Sequence, residues 1–515
     1  MTTENSIGAA VIGSGPAGVA AARALLAQQI PVTMIDTGNT IPADAVRLRD
    51  ELAATLPAQW DREKLAITNR TSLRERDGVP LKTVFGSEYP YHFHPDVQDD
   101  GAVILGSHAR GGLSNAWGAS ILPLSERDLR DWPLRAADLA PHYAAVLQWL
   151  PHAQSADDLA TDYPLHSDHE QPLEPSPQAR ELIADVSAAR DLLSEHGINF
   201  GRSRLAVSQC HYCGQCLHGC PYDFIYNSNS TLDELLSTPG FTYISNTEIT
   251  ALTEHSDYVA LQTAGGELLH TDRVYLGTGV LHTAMLMMPL LDMHELTIKD
   301  SAYGLVPFLR KRRSRGIRNE QLFTLPQLYT EVDVPDVSSR NVHLQWYGYN
   351  DFYRDELRKK LGPLDALLPE AVANQVVERM WSIQAFLHSD DSPGLTLRMS
   401  TSGRATLSAD HDERARHVFR AAYDKLSSVS SKLGGHLFPS LGRPGLPGGS
   451  FHSGATLPMQ QKPGPGQSDL AGRPHGLQRV HIVDSSVFPD IASSTITLSV
   501  MANAHRIASG HRQYN

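Results

Sequence analysis

The sequence predicts an α/β protein with two structural parts, and three observations carry that prediction. A strand–turn–helix–strand pattern runs through residues 7–38, a second glycine turn follows an apolar strand near residue 276, and alternating apolar and polar stretches fill much of the middle. The first pattern is that of a Rossmann-type dinucleotide-binding domain. The alternating stretches, such as Val342–Tyr347, predict an antiparallel sheet in an α+β substrate domain.

Ile7–Ile12 is a short apolar run of the kind found in a buried parallel strand, and Val19–Gln28 is rich in Ala and Leu and reads as helix. Pro31 restarts the chain, and Val32–Ile35 forms the next strand, ending at Asp36. Residues 40–100 are polar and mixed. Residues 125–195 read as helices broken by prolines, and Phe241–Gly279 as several strands. Pro- and Gly-rich sequence fills 439–476, followed by a strand at Val480–Val483 and a helix at Thr497–Ser509.

The chain has 515 residues, 41% apolar and 20% charged, which is ordinary globular composition. Its formal net charge is −13, from 44 basic and 57 acidic residues, which disfavours nucleic acid as a partner. No run approaches the roughly 18–20 apolar residues that span a bilayer, and residues 1–6 lack an export pattern. A cytoplasmic location is the resulting expectation. One dense basic run, Arg310–Arg318, reads first as a solvated loop and second as a face for an anionic partner.

Gly13-x-Gly15-x-x-Gly18 lies between the first strand and the first helix. The first glycine permits the tight turn, the second lets a pyrophosphate approach the backbone, and the third lets helix and strand pack closely. Helix N-terminal amides then face the phosphate charge. Asp36, 21 residues after Gly15, stands where a carboxylate takes ribose hydroxyls. This turn alone does not separate FAD from NAD.

Further segments point to FAD. Gly111-Gly112-Leu113-Ser114-Asn115-Ala116-Trp117-Gly118 resembles the flavin-contacting loop of the glucose–methanol–choline (GMC) oxidoreductases, and Gly277-Thr278-Gly279 resembles their second dinucleotide turn. Val480–Ala508, with Asp484 and the motif Ala502-Asn503-Ala504-His505-Arg506, resembles their closing segment. The resemblance implies an FAD-binding domain assembled from residues 1–50, 101–135, 200–300 and 440–515, and a substrate or cap domain from 51–100, 136–199 and 301–439. It implies flavin contacts at Gly111, Gly112, Ser114, Asn115, Trp117, Gly279 and Asp484. It also implies an enzyme acting on CH–OH donors.

Oxidising an alcohol with a flavin requires a base of near-neutral pKa, which suits histidine. The family places one at the head of a His-x-x-x-Thr segment, and His452-Ser453-Gly454-Ala455-Thr456 has that form. The family's second active-site residue is usually His or Asn, and the matching position here is Thr495. A threonine hydroxyl can hydrogen-bond a substrate oxygen but is a poor base, so His452 is expected to act as a single base, with Thr495 beside it or with the nearby Ser493, Ser494 or Thr497 in its place.

All four cysteines fall within eleven residues, as Cys210-x-x-Cys213-x-x-Cys216-x-x-x-Cys220-Pro221. That spacing is the bacterial ferredoxin run. Zinc sites usually separate their cysteine pairs more widely, although zinc and a redox knot remain alternatives. The expected cofactor is one iron–sulfur cluster in segment 208–224, either 4Fe–4S or 3Fe–4S, and the resemblance extends to the cluster-bearing FAD dehydrogenases of the family. His211 and His218 would shield or tune it, while His92 and His94 carry no role in this reading.

Together these features predict an FAD- and Fe–S-dependent dehydrogenase that oxidises a CH–OH group of a sugar, polyol or related alcohol. Electrons would leave for a protein carrier or a quinone-linked subunit. The alternative is a reductase or redox-neutral enzyme of the same fold, which Thr495 favours. Trp346, Tyr347, Tyr349, Phe352 and Tyr353 are candidates for a sugar-stacking wall, against a packing role.

Overall fold

The computed structural model describes residues 6–61, 63–65, 68, 74–76, 79–314, 317, 322–349, 370–410 and 413–514. Its first sheet runs in the order Phe241–Ile244, Val32–Ile35, Ser6–Ile12, Leu268–Leu276, Val259–Thr263 and Ile249–Glu254. Val480–Ile482 joins it alongside Val274–Leu276. The strands 6–12, 32–35, 241–244, 268–276 and 480–482 are mutually parallel where they pair, and the remaining two form an antiparallel extension. Ala9–Val11 and Val274–Leu276 are fully buried, which explains why these strands read as unbroken apolar runs rather than alternating ones.

Helix Pro16–Ala27 covers this sheet. Pro16 opens it, where a missing N–H costs nothing. Its small residues Ala17, Ala20, Ala21 and Ala24 are buried and admit the C-terminal helix Thr497–Ser509 at close range. Gln28 Nε2 donates to Ala508 O at 3.0 Å and ties the two helix ends together. Helix Ala136–Leu147, assigned to the cap by the sequence, packs against Thr497–Ser509 instead, with Tyr143 Oη 2.7 Å from Ser499 Oγ.

The second large sheet is antiparallel, in the order Gly435–Leu437, Tyr303–Arg310, Met380–Phe386, Asn341–Tyr347, Leu328–Asp333 and Ile198–Arg202. Residues 200–202, placed on the flavin side of a boundary at 199/200, pair with Leu328–Thr330 and so belong to this sheet. Helices Pro177–Ala188 and Arg414–Val429 bury one face of it against Leu344, Trp346, Trp381 and Ile383. The opposite face carries polar side chains. A third, five-stranded sheet includes Glu295–Asp300 between Leu395–Met399 and Ser453–Gly454. No helix among the described residues is long and apolar enough to cross a membrane.

The basic run proves partly internal. Arg310 ends a strand, is buried, and pairs with Asp185 at 2.7 Å, while Arg313 pairs with Glu378. Arg315 and Arg318 lie outside the described residues. Trp346 is likewise a core residue on the helix-covered face, with Nε1 donating to Thr330 Oγ1 at 2.8 Å, and so is removed from the stacking wall. Phe352 and Tyr353 lie outside the described residues.

An ion network with His388, Arg340 and Asp490 buried and Asp131 and Asp390 at its exposed edge links the substrate sheet to the C-terminal segment. His388 lies 3.3 Å from both Asp390 and Asp490, and Arg340 pairs with Asp131 at 2.7 Å and Asp390 at 2.8 Å. Trp132 Nε1 donates to Asp490 at 2.7 Å. Burial pulls the His388 pKa down, but the two carboxylates outweigh it and raise the value to about 9. A histidine raised in the folded state stabilises fully below its ordinary value of 6.5, and the contribution fades as pH rises through about 9. Urea unfolding of the wild type and of His388→Ala should therefore differ by about 3 kcal/mol near neutrality. The gap should narrow as pH rises through about 9, leaving the pH-independent cost of removing a buried ring.

Candidate active site

The first glycine turn is shaped for an anion. Gly13 has φ +94°, and a Cβ there would lie 2.7 Å from Gly277 O, so the two glycine turns abut. A Cβ on Gly18 would sit 1.9 Å from Gly13 O, which only glycine avoids. A Cβ on Gly15, by contrast, would meet nothing within 4 Å. Open space therefore lies over the middle glycine at the N-terminus of helix Pro16–Ala27, where a pyrophosphate would approach. Asp36 is buried at the end of its strand and accepts hydrogen bonds from Ser14 Oγ and from Tyr243 Oη, the latter at 3.2 Å. Burial raises its pKa, opposed by those donors.

The loop 111–118 folds against this turn. Gly111 N donates to Ser14 Oγ at 2.8 Å, and a Cβ on Gly112 would lie 3.3 Å from Gly15 Cα. Ser114 Oγ accepts from Ser228 N at 2.9 Å. Asn115 Nδ2 closes the loop on Arg110 O and Gly112 O at 2.9 and 2.8 Å, and Trp117 Nε1 donates to Tyr226 O at 2.7 Å. Asn115 is therefore spent on its own loop and on Asn229 Nδ2 at 2.8 Å. The loop's backbone is the part left to meet a cofactor.

Asp484 is buried and accepts from Gly279 N at 2.9 Å, Thr283 Oγ1 at 2.6 Å and Ser486 N at 2.9 Å. Burial pushes its pKa up, and these donors pull it back. It thereby fastens the second turn to the segment that follows it. Ala455 N, Leu457 N and Met459 N donate in turn to Ser485 O, Ser486 O and Val487 O at 2.8–2.9 Å, so the His452 segment runs alongside.

His452 itself is held by its backbone. Its N–H donates to Ser450 Oγ at 2.9 Å, and its carbonyl accepts from Ser301 N at 3.0 Å. Buried Asp300 gathers Ser450 Oγ, Ser453 Oγ and Gly448 N at 2.7–2.9 Å. Two non-glycine residues nearby, Phe451 and Ala455, have φ of 64° and 60°, strain of the kind that surrounds functional groups. The imidazole packs on Phe386 at 5.1 Å between ring centroids, and its Nδ1 is buried with no hydrogen-bond partner among the described residues. Burial and the neighbouring His343 lower its pKa to about 4, so the ring is neutral. Thr495 is also buried with Oγ1 unpartnered, as is Ser494 Oγ; no hydrogen bond joins Thr495 to His452 Nδ1.

Sequence reasoning missed the polar face of the antiparallel sheet. Glu331 Oε1 lies 2.6 Å from His343 Nδ1, His343 Nε2 lies 3.4 Å from Gln345 Nε2, and Tyr347 Oη donates to Gln345 Oε1 at 3.1 Å. A Cβ on Gly118 would be 3.8 Å from Tyr347 Oη, so this chain reaches the loop 111–118. The period-two order of His343, Gln345 and Tyr347 was the available signal. Asp300 carried none.

The four cysteines are free and line one cavity with Leu173, Val207, Phe323 and Leu325. Burial raises the Cys210 thiol to about 12 and also raises Cys213 and Cys220, with Cys216 adding repulsion. Tyr212 N and Thr324 N lie 3.2 and 3.4 Å from Cys210 Sγ and Cys216 Sγ as donors. No three of these sulfurs come within 4.8 Å of one another, whereas a tetrahedral zinc would bring thiolates to about 3.8 Å. As placed, the four sulfurs do not converge as a ligand set. His211 lies edge-on to Tyr222 at 4.5 Å and lines the same cavity. His218 contributes its carbonyl to Phe85 N at 2.8 Å.

A glycine-turn sheet, an antiparallel sheet with its polar face towards the flavin-type loop, and a histidine on the C-terminal strap define the class: an oxidoreductase built on a dinucleotide-binding fold. Residues 445–504 match the family model described as GMC oxidoreductase, so the family resemblance seen in the sequence stands on this segment, which carries both His452 and Thr495. Over its length the chain has the fold of pyridoxine 4-oxidase from Mesorbium loti, at 13% identity and TM-score 0.60, covering 99% of each chain. No curated protein matches the sequence.

Because Gly15 faces open space, Gly15→Ala should fold with an unchanged circular dichroism spectrum. It should retain at most about a tenth of the wild-type flavin after gel filtration. Unaltered flavin retention would remove the turn from the cofactor site.

Proposed function

We propose that the protein is an FAD-dependent dehydrogenase oxidising a CH–OH group of a sugar, polyol or related alcohol, with His452 as base. The observation that carries this reading is the buried, neutral His452 with an unpartnered Nδ1, held by its backbone near the polar face of the substrate sheet. FAD, when bound, supplies the two-electron acceptor; the turn at Gly13–Gly18, Asp36, the backbone of 111–118, Gly279 and Asp484 are the residues that would hold it. His452 takes the hydroxyl proton, Thr495 Oγ1 donates to or accepts from the substrate oxygen, and Gln345 and Tyr347 orient the remaining hydroxyls.

The reading extends to one iron–sulfur cluster on Cys210, Cys213, Cys216 and Cys220. Support comes from the ferredoxin spacing, the shared apolar cavity and the N–H groups aimed at sulfur. Such a cluster supplies one-electron transfer, which suits a protein carrier or quinone-linked subunit as acceptor. A second reading, a reductase or redox-neutral enzyme, is favoured by one observation: a threonine at the second active-site position.

His452→Ala should lower kcat/KM about 10²- to 10⁴-fold while the flavin spectrum is unchanged. For the wild type, the rate should stay level as pH falls through the ordinary histidine value of 6.5 and drop only towards about 4. A panel of sugars and polyols should bleach the flavin anaerobically; bleaching by none of them, with flavin present, would favour the second reading.

Anaerobically purified protein should contain iron and acid-labile sulfide in matching amounts, both lost in Cys216→Ser. Protein with flavin but no iron under those conditions would sink the cluster.

A further inference from the structure

Four histidines outside the proposed catalytic centre gather at one place. His92 and Gly106 exchange backbone hydrogen bonds at 3.0 and 3.1 Å, so the chain from 92 to 108 doubles back and brings His92, His94 and His108 together. His282 enters from the first turn of the helix Val280–Leu290. Nε2 of His108 lies 3.1 Å from Nε2 of His282, and the His92 ring stacks on His108 at 3.6 Å between centroids. One ring nitrogen from each of His92, His108 and His282 lies within 4.8 Å of the other two. The His94 ring centroid is 5.5 Å from that of His282.

A shared hydrogen bond between two imidazoles would account for His108 and His282 but not for the third and fourth rings. A tetrahedral ion with bonds of about 2.0–2.1 Å to imidazole nitrogen sets its ligand atoms about 3.3 Å apart, close to the contact seen here. The backbone is cut to fit: a Cβ at position 106 would come 2.5 Å from His282 Cε1, so only glycine leaves room for the ring.

We propose that His92, His108 and His282 form a site for a borderline divalent transition-metal ion of the zinc type, with His94 or water in the fourth position. The site is separate from the cysteine cavity. His108 O accepts from Thr37 Oγ1 at 2.9 Å and Asn39 N at 2.8 Å, just beyond Asp36, and His282 follows Gly279 by three residues. A bound ion would therefore clamp the helix that leaves the second glycine turn to the segment that flanks the first.

The test is a Co²⁺ titration of the chelator-treated full chain, in the wild type and in Cys210→Ser, read by visible ligand-field bands and the near-ultraviolet thiolate charge-transfer band. A single Co²⁺ is expected to give ligand-field bands without thiolate charge transfer in Cys210→Ser, and Zn²⁺ should displace it. His282→Asn and His92→Gln should each weaken uptake at least roughly tenfold. Should those variants misfold, a rise in the Tm of Cys210→Ser on adding one equivalent of Co²⁺, with ligand-field bands and no thiolate charge transfer, carries the same inference. No stoichiometric uptake, uptake seen only with thiolate charge transfer, or undiminished uptake in both folded histidine variants would overturn it.

Discussion

The Asp484 carboxylate is the contact on which the site depends. It is buried, and it accepts from a turn amide, a helix hydroxyl and its own downstream amide. Burial raises its pKa, and the three donors, with the peptide dipoles at the helix N-terminus, oppose that rise without cancelling it. Through it, the turn at residue 279 fixes the path of residues 484–487, and those residues fix the path of 455–459. His452 is thus aligned with the glycine turns by backbone hydrogen bonds, and its own side chain is left unengaged. Its Nδ1 therefore has no hydrogen bond that must break before it could accept a proton.

Around this axis the two large sheets divide the chemistry. The parallel sheet contributes loops and helix ends, where main-chain amides face open space. The antiparallel sheet contributes side chains on alternate positions, with Val342, Leu344 and Trp346 turned into a hydrophobic layer and His343, Gln345 and Tyr347 turned away from it. Strand Asn341–Tyr347 therefore serves both the hydrophobic layer and the polar hydrogen-bond chain of His343, Gln345 and Tyr347, and the helix-side packing holds the polar side in place. The network of Arg340, His388, Asp390 and Asp490 sits where that sheet meets the strap from the C-terminal region.

Much of this was legible in the sequence, for identifiable reasons. Strand Val32–Ile35 and helix Thr497–Ser509 were read with their observed bounds, because the first is a short apolar run bounded by Pro31 and the second has a helical repeat without breakers. The first glycine turn was legible because Gly13, with φ +94°, and Gly18, packed on Gly13 O, leave no room for another residue. What escaped was set by contacts between residues distant in sequence. Asp300 looks like any acid until Ser450 and Ser453 fold over it, and Arg310 looks solvated until Asp185 reaches it. Helix Ala136–Leu147 carries an apolar face that fits either domain, and Tyr143 against Ser499 decides the matter only in three dimensions. The histidines at 92, 108 and 282 are separated by up to 190 residues and share no spacing that a local pattern could flag.

The parallel sheet is stitched from opposite ends of the polypeptide: strand Ser6–Ile12 pairs with Leu268–Leu276, which pairs in turn with Val480–Ile482, and helix Pro16–Ala27 lies against Thr497–Ser509. During synthesis the first helix leaves the ribosome long before its packing partner exists. Its alanine face, and the apolar strand edge beside it, must wait for nearly the entire chain to be translated. Such long-range closure is slow and leaves hydrophobic surface uncovered for the interval. This connectivity thus leaves the newborn chain in need of protection by chaperones, and loss of the strand Val480–Ile482 and the helix Thr497–Ser509 should harm the first helix and strand as severely as their own surroundings.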